Sequence, residues 1–162
     1  MNPQIILPVI ISTLHNLFTA VWIGGMIALA FASLPALKQT ITDGKTRKQT
    51  SHVLQKRLQT LAIISMVGLA ATGILMARRS PAVSGLFTFG SPYANALSIK
   101  HLLMILMVAV AIIRSTINAR LMKQPAPSLE KASFLLLIVN IGFGVAVLAL
   151  SSFLAAVATL PL

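Results

Sequence analysis

Cysteine is absent from this chain of 162 residues, and acidic residues are nearly absent. Without cysteine the protein has no disulfide, no thiolate metal site and no cysteine nucleophile. Its two acids, Asp43 and Glu130, are far apart in sequence and form no carboxylate pair for glycoside chemistry. We find no Ser-His-Asp set, no phosphate-binding glycine loop and no His-Glu metal motif. These absences argue against hydrolysis and nucleotide binding.

Charge is also scarce, since only 9% of the residues are charged and an average soluble domain has about 25%. Hydrophobic residues make up 57% of the chain, and its mean hydropathy is +0.91. Four apolar runs are long enough to cross a bilayer as helices. We therefore predict an all-α fold, a four-helix transmembrane bundle, in a single membrane domain over residues 1–162. The predicted helices cover residues 5–37, 54–77, 93–121 and 129–160.

The basic residues are concentrated in the predicted loops. The first loop carries Lys38, Lys45, Arg47, Lys48, Lys56 and Arg57, the second Arg78 and Arg79, and the third with its flanks Arg120, Lys123 and Lys131. The positive-inside rule then places loops one and three in the cytoplasm. Both termini, N-out and C-out, fall on the outer, periplasmic side of the inner membrane. A net charge of +11 suggests nucleic acid in a soluble protein, but here it sets orientation, and we expect no nucleic-acid partner.

Two histidines lie inside predicted membrane helices. His15 shares a helical stripe with Trp22, seven residues on, and Gly24-Gly25 follow. An imidazole in the membrane is costly to leave unsatisfied, so we expect it to face the bundle. At 1.5 Å per residue, His15 lies roughly 15 Å and His101 roughly 12 Å from the outer ends of their helices. The two imidazoles are therefore predicted at similar depth, whereas His52 is predicted to be solvated near the inner side.

Two imidazoles at one depth suit the axial positions of a haem b. Gly25 and Trp22 would border the macrocycle, and the outer cations Lys100, Arg78 and Arg79 would meet its propionates, because no acid lies in a membrane helix. Copper is the competing ligand, since it accepts imidazole and thioether donors. Met104, one turn after His101, would complete such a site. The third alternative is that both histidines only bond neighbouring helices.

The motif His15-x6-Trp22-x-Gly24-Gly25 resembles the first helix of the copper resistance protein D (CopD) family. Thr72-Gly73 and the run Tyr93-x3-Leu97-x2-Lys100 resemble later helices of that family, in the same order. More distantly, the chain is similar to the HemJ family of four-helix membrane proteins, which bind haem b and support protoporphyrinogen oxidation. That second resemblance implies roles for His15 and Lys100.

Together these observations predict a b-type haem membrane protein in electron transfer or small-molecule redox chemistry. A copper-binding or copper-transport membrane protein of the CopD type is the alternative, and a structural subunit of a larger membrane complex is the third. The sequence leaves open whether the protein is a haem-dependent oxidoreductase. It also leaves open whether a redox protein or a quinone is its partner, and whether it forms a homo-oligomer.

Overall fold

The computed structural model describes residues 3–78, 87, 89–124 and 126–158, and within them all regular structure is helical. The elements are α1 (Pro3–Ile27), a π-helical segment (Ala28–Ser33), α2 (Leu34–Thr40), α3 (Gly44–Ala77), α4 (Pro92–Lys123) and α5 (Pro127–Ala158). In the described part of the chain, four spans are long and apolar enough to cross a membrane. The predicted all-α, four-helix transmembrane bundle is therefore confirmed.

The first span is continuous from Ile5 to Thr40, although its hydrogen-bond pattern changes on the way. Six residues, Ala28–Ser33, adopt a π-helix between α1 and α2, and Leu29 and Ala30 within it are buried. Such wide turns are rare and often occur close to functional sites, because they rotate the side chains that follow. The apolar pattern of this run gives no sign of the change in hydrogen bonding.

The second helix begins ten residues earlier than predicted, at Gly44 instead of residue 54. Only residues 41–43 connect it to α2, so most of the expected polar loop is helical. Asp43 caps α3, because its carboxylate accepts hydrogen bonds from Lys45 N at 3.2 Å and Thr46 N at 2.9 Å. The Thr46 hydroxyl bonds the same carboxylate, and these bonds hold the pKa of Asp43 below its ordinary value. The prediction was wrong because the low hydropathy of this segment was taken to indicate a loop, whereas long polar side chains are good helix formers.

The other predicted helices agree more closely with the structure. α4 extends from Pro92 to Lys123, and Ser91 caps it by accepting a hydrogen bond from Ala94 N at 3.1 Å. α5 starts at Pro127, two residues before the prediction. Turn residues with proline mark both starts, which explains why these boundaries were visible in the sequence.

α1 packs mainly on α3, and α4 packs mainly on α5. Their shared core contains Trp22, Leu69, Met107 and Leu137, of which Met107 and Leu137 are each 1% exposed. Side chains of α1 pack onto glycines of two other helices: an added Cβ at Gly68 would overlap the Phe18 ring, and one at Gly144 would be 3.2 Å from Ile23 Cγ1. Small residues thus admit neighbouring helices here, as expected for membrane bundles.

Because Gly24 and Gly25 lack side chains, we expect them to admit another helix or a flat ligand, but the described residues place no closely packed helix against them. A Cβ at Gly24 would have no neighbour within 4 Å among the described residues, and one at Gly25 would meet only Leu58 Cδ2 at 3.8 Å. The physical reason is that Gly24 lies on an exposed face of α1 and Gly25 borders a cavity. The glycines against which α1 side chains pack are instead Gly68 and Gly144.

Gly68→Ala is expected to destabilise the bundle by about 1–3 kcal/mol, because the added methyl group forces the Phe18 ring out of its position. Thermal unfolding of the purified protein in detergent measures the effect. Gly24→Ala is the matched control, since its methyl group enters open space and alanine favours the helix. Equal melting temperatures for Gly68→Ala and wild type would contradict this packing.

Candidate functional site

His15 is half-buried in α1, and its ring is fixed by α3. Its Nδ1 lies 2.9 Å from Oγ1 of Thr72, a residue only 6% exposed. Thr72 Oγ1 in turn donates its single proton to the Gly68 carbonyl at 2.7 Å. Because that proton is used, the Thr72 oxygen can only accept from the imidazole. His15 therefore carries its proton on Nδ1, and its Nε2 lone pair is available to bind a metal ion.

Lys100 of α4 is half-buried and lies within electrostatic range of the His15 ring. His101, the next residue, is half-buried, and its ring stacks edge-to-face on Phe87 at a centroid distance of 6.4 Å. The similar depth of His15 and His101 stays a prediction. That His15 and His101 bind one ligand stays a prediction.

Met104 lies one turn further along α4 and packs against the buried core. Met26, Met66 and Met107 belong to or contact the same core cluster. The thioethers of three membrane spans thus lie in one continuous cluster. Apolar packing explains their positions, and the same atoms are soft donors for a monovalent copper ion.

Trp22 and Gly25 lie apart from His15, although Trp22 shares its helical stripe. Trp22 is 4% exposed and packs in the core. Both residues line a cavity of about 490 Å³, and His15 is not among the described residues around that cavity. Tertiary packing thus separates the predicted site residues. His15 lies next to Thr72, whereas Trp22 and Gly25 lie at the cavity. A role for Trp22 or Gly25 beside a cofactor stays a prediction.

Of the two arginines predicted near the propionates, the structure describes one. Arg78 is exposed where α3 ends, and Arg79 lies outside the described residues. His52 is half-buried in α3, not in a loop, and lines a smaller cavity next to Gln55.

A polar network near the basic end of the bundle was missed by the sequence analysis. Gln55 Oε1 of α3 accepts hydrogen bonds from Arg114 Nη2 at 2.8 Å and Asn118 Nδ2 at 3.0 Å. Asn118 Oδ1 accepts from Ser133 Oγ of α5 at 2.6 Å, and Gln59 Nε2 donates to Ser115 Oγ at 2.6 Å. The available signal was spacing, because Gln55 and Gln59, and likewise Arg114 and Asn118, are four residues apart.

The side chains that most often bind metal ions do not cluster in the described part of this bundle. Among the residues that the structure describes, no group of three or more His, Cys, Asp or Glu side chains comes together. A metal site here therefore depends on fewer imidazoles, supplemented by thioether or backbone donors.

Comparison with known proteins gives one family. The family model described as copper resistance protein D matches residues 51–154, which include α4, most of α3 and most of α5. No curated protein and no solved structure matches the chain. The match favours the copper alternative over the haem b prediction, which gains no support from it, and the similarity to the HemJ family stays a prediction.

Proposed function

This chain belongs to the copper resistance protein D family, and on that premise we propose that it is a copper-binding membrane protein. Copper is the substrate that it holds or passes on, and the proposed ligands are His15, His101 and the thioether of Met104. The observation that carries the proposal is the orientation of His15. Its Nδ1 proton points to Thr72, so its Nε2 is free for copper inside an apolar bundle.

The donor types fit copper in either of its two common oxidation states. Imidazole nitrogen suits divalent copper, and the thioether of Met104 suits monovalent copper. Lys100 lies near His15, and an ammonium group opposes the binding of another cation. This arrangement favours weak, exchangeable binding over permanent retention, which is the behaviour expected of a site that passes copper on.

Copper titration of the purified protein against a coloured copper chelator tests the proposal. We expect the protein to compete for about one monovalent copper ion per chain and to be colourless before copper is added. A protein that is purified with haem, shows a b-type visible spectrum and does not compete for copper would support the haem b prediction instead.

Thr72→Val is expected to weaken copper binding by roughly 10–100-fold, which is the usual effect of removing the hydrogen-bond partner of a metal-binding histidine. Valine keeps the shape of threonine but cannot accept a hydrogen bond from Nδ1–H. The imidazole is then no longer held in one tautomer and one orientation. Thr72→Ser keeps the hydroxyl group and is the control. The same chelator competition measures all three proteins, and an unchanged affinity for Thr72→Val would show that Thr72 does not orient a ligand.

The orientation in the membrane is a separate proposal. We propose that the basic end of the bundle faces the cytoplasm, with both termini outside, in the inner membrane of the cell. Ser51→Cys at the basic end and Ser84→Cys in the predicted second loop are single thiols in a chain without cysteine. An impermeant thiol reagent added to intact cells is expected to label only the variant at Ser84. Labelling at Ser51 instead would reverse the orientation.

A further inference from the structure

We propose that the 490 Å³ cavity beside Arg114 binds an amphipathic anion, a molecule with one carboxylate or phosphate head and an apolar body. The cavity lies between α1, α3, α4 and α5, and its lining contains none of the residues proposed for copper. The proposal therefore stands apart from the copper function and is tested separately.

Arg114 supplies the first argument, because its charge has no carboxylate partner among the residues that the structure describes. Its Nε donates to the Ser133 carbonyl at 3.2 Å and its Nη2 to Gln55 Oε1 at 2.8 Å, and both acceptors are neutral. The chain has only two acidic residues. Glu130 pairs with Lys48 at 2.8 Å, and Asp43 caps α3. A guanidinium has five N–H donors, so Arg114 keeps donors for a bound anion.

Asn140 supplies the second, independent argument. This residue of α5 is 3% exposed and lines the same cavity. Its Oδ1 is buried and has no hydrogen-bond partner among the described residues. Buried polar atoms in folded proteins almost always have a partner. A bound molecule that carries a hydroxyl group beside its anionic head, as phosphatidylglycerol does, would supply it.

The remaining lining explains why the ligand is expected to be amphipathic. Trp22, Met26, Leu29 and Met66 form an apolar wall, and Gln55, Gln59 and Ser115 are on the side of Arg114. Those three polar residues also line the smaller cavity that contains Lys56 at the basic end of the bundle. The volume lies within the usual range of about 300–1,000 Å³ for ligand pockets. The head is thus expected at Arg114 and the apolar body toward Trp22.

Trp22 makes the test direct, because it is the only tryptophan of the chain and it borders the cavity. Bromine atoms quench indole fluorescence on contact. The full-length protein in neutral detergent is titrated with dibromostearate and, for comparison, with the methyl ester of dibromostearate. We expect saturable quenching by the anion. The affinity of the ester is expected to be lower by roughly tenfold or more, since the ester loses a charged hydrogen bond.

Three variants separate the role of Arg114 from general positive charge. Arg114→Gln is expected to bind dibromostearate roughly tenfold or more weakly, and Arg114→Lys to keep most of the affinity. Arg120→Gln removes an exposed cation of the same helix and is expected to leave the affinity unchanged. Brominated phosphatidylglycerol and brominated phosphatidylcholine then identify the source. Saturable quenching by the anionic lipid alone indicates a phospholipid, and quenching by dibromostearate alone indicates a free carboxylate.

Equal quenching of the wild-type protein by the anion and its ester would overturn the proposal. Undiminished binding by Arg114→Gln would overturn it as well. If Arg114→Gln does not fold, the comparison of anion and ester on the wild-type protein decides alone. Copper titration of the same preparations tests the copper proposal separately. Loss of anion binding does not entail loss of copper binding, and the reverse also holds.

Discussion

Replacing His15 by alanine is expected to abolish copper binding by the purified protein. The imidazole is held in one tautomer by Thr72, with Nε2 as the free donor, and the substitution removes that donor. Loss of a ligand should exceed the roughly 10–100-fold weakening that follows loss of a ligand's hydrogen-bond partner. Competition against a chelator of known affinity measures the change, and His101→Ala is expected to have an effect of similar size.

His52→Ala is the matched control for both histidine variants. His52 is half-buried in the basic part of α3, where it lines the smaller cavity with Lys56, and is not a proposed ligand. Its removal should leave copper affinity unchanged. Met104→Leu keeps the packing volume and is expected to weaken binding of monovalent copper more than that of divalent copper. Full copper affinity in both His15→Ala and His101→Ala would refute this site.

Gln55→Leu is expected to lower the free energy of unfolding by roughly 1–3 kcal/mol, the cost of leaving half-buried donors, one of them on a charged group, unsatisfied. Gln55 Oε1 accepts from both Arg114 Nη2 and Asn118 Nδ2, so one substitution removes two hydrogen bonds. The guanidinium then keeps only the Ser133 carbonyl among its bonded acceptors in the described structure. Unfolding of the detergent-solubilised protein by an added denaturing detergent measures the loss.

Two further variants show whether this loss comes from the uncompensated charge. Gln49→Leu changes an exposed glutamine of the same helix and is expected to stay within about 0.5 kcal/mol of wild type. The double variant Gln55→Leu/Arg114→Met removes charge and acceptor together and should recover part of the stability, because paired removal of buried polar groups is often nearly neutral. A double variant less stable than Gln55→Leu alone would contradict a cost due to the charge.

The secondary structure of this protein followed largely from its composition. Four apolar runs with very few charges predict helices across a bilayer, since backbone polar groups in lipid must be paired within each segment. Proline and serine marked the starts of α4 and α5 to within two residues. The start of α3 was misplaced because hydropathy detects burial in lipid, whereas Asp43 begins a helix in polar surroundings.

The residues of the candidate site could be picked out from the sequence, but their contacts could not. His15, Thr72 and Lys100 were all visible as polar residues in apolar runs, and the family resemblance rested on those stretches. Helical periodicity grouped His15 with Trp22, because both lie on one stripe of α1. Only the packing of α3 on α1 showed that Thr72 bonds the His15 ring, while Trp22 borders a different cavity.

The sequence by itself determined the class of protein, the four membrane spans and the scarcity of acidic partners for buried cations. These are properties of composition and local periodicity, and each residue contributes to them independently of its neighbours in space. Only the tertiary structure decided which polar groups meet. Gln55 and Arg114 are 59 residues apart in the chain, and their contact depends on how α3 and α4 are rotated about their axes. Packing at positions such as Gly68 of α3 helps to fix that rotation, because an added methyl group there would overlap the Phe18 ring.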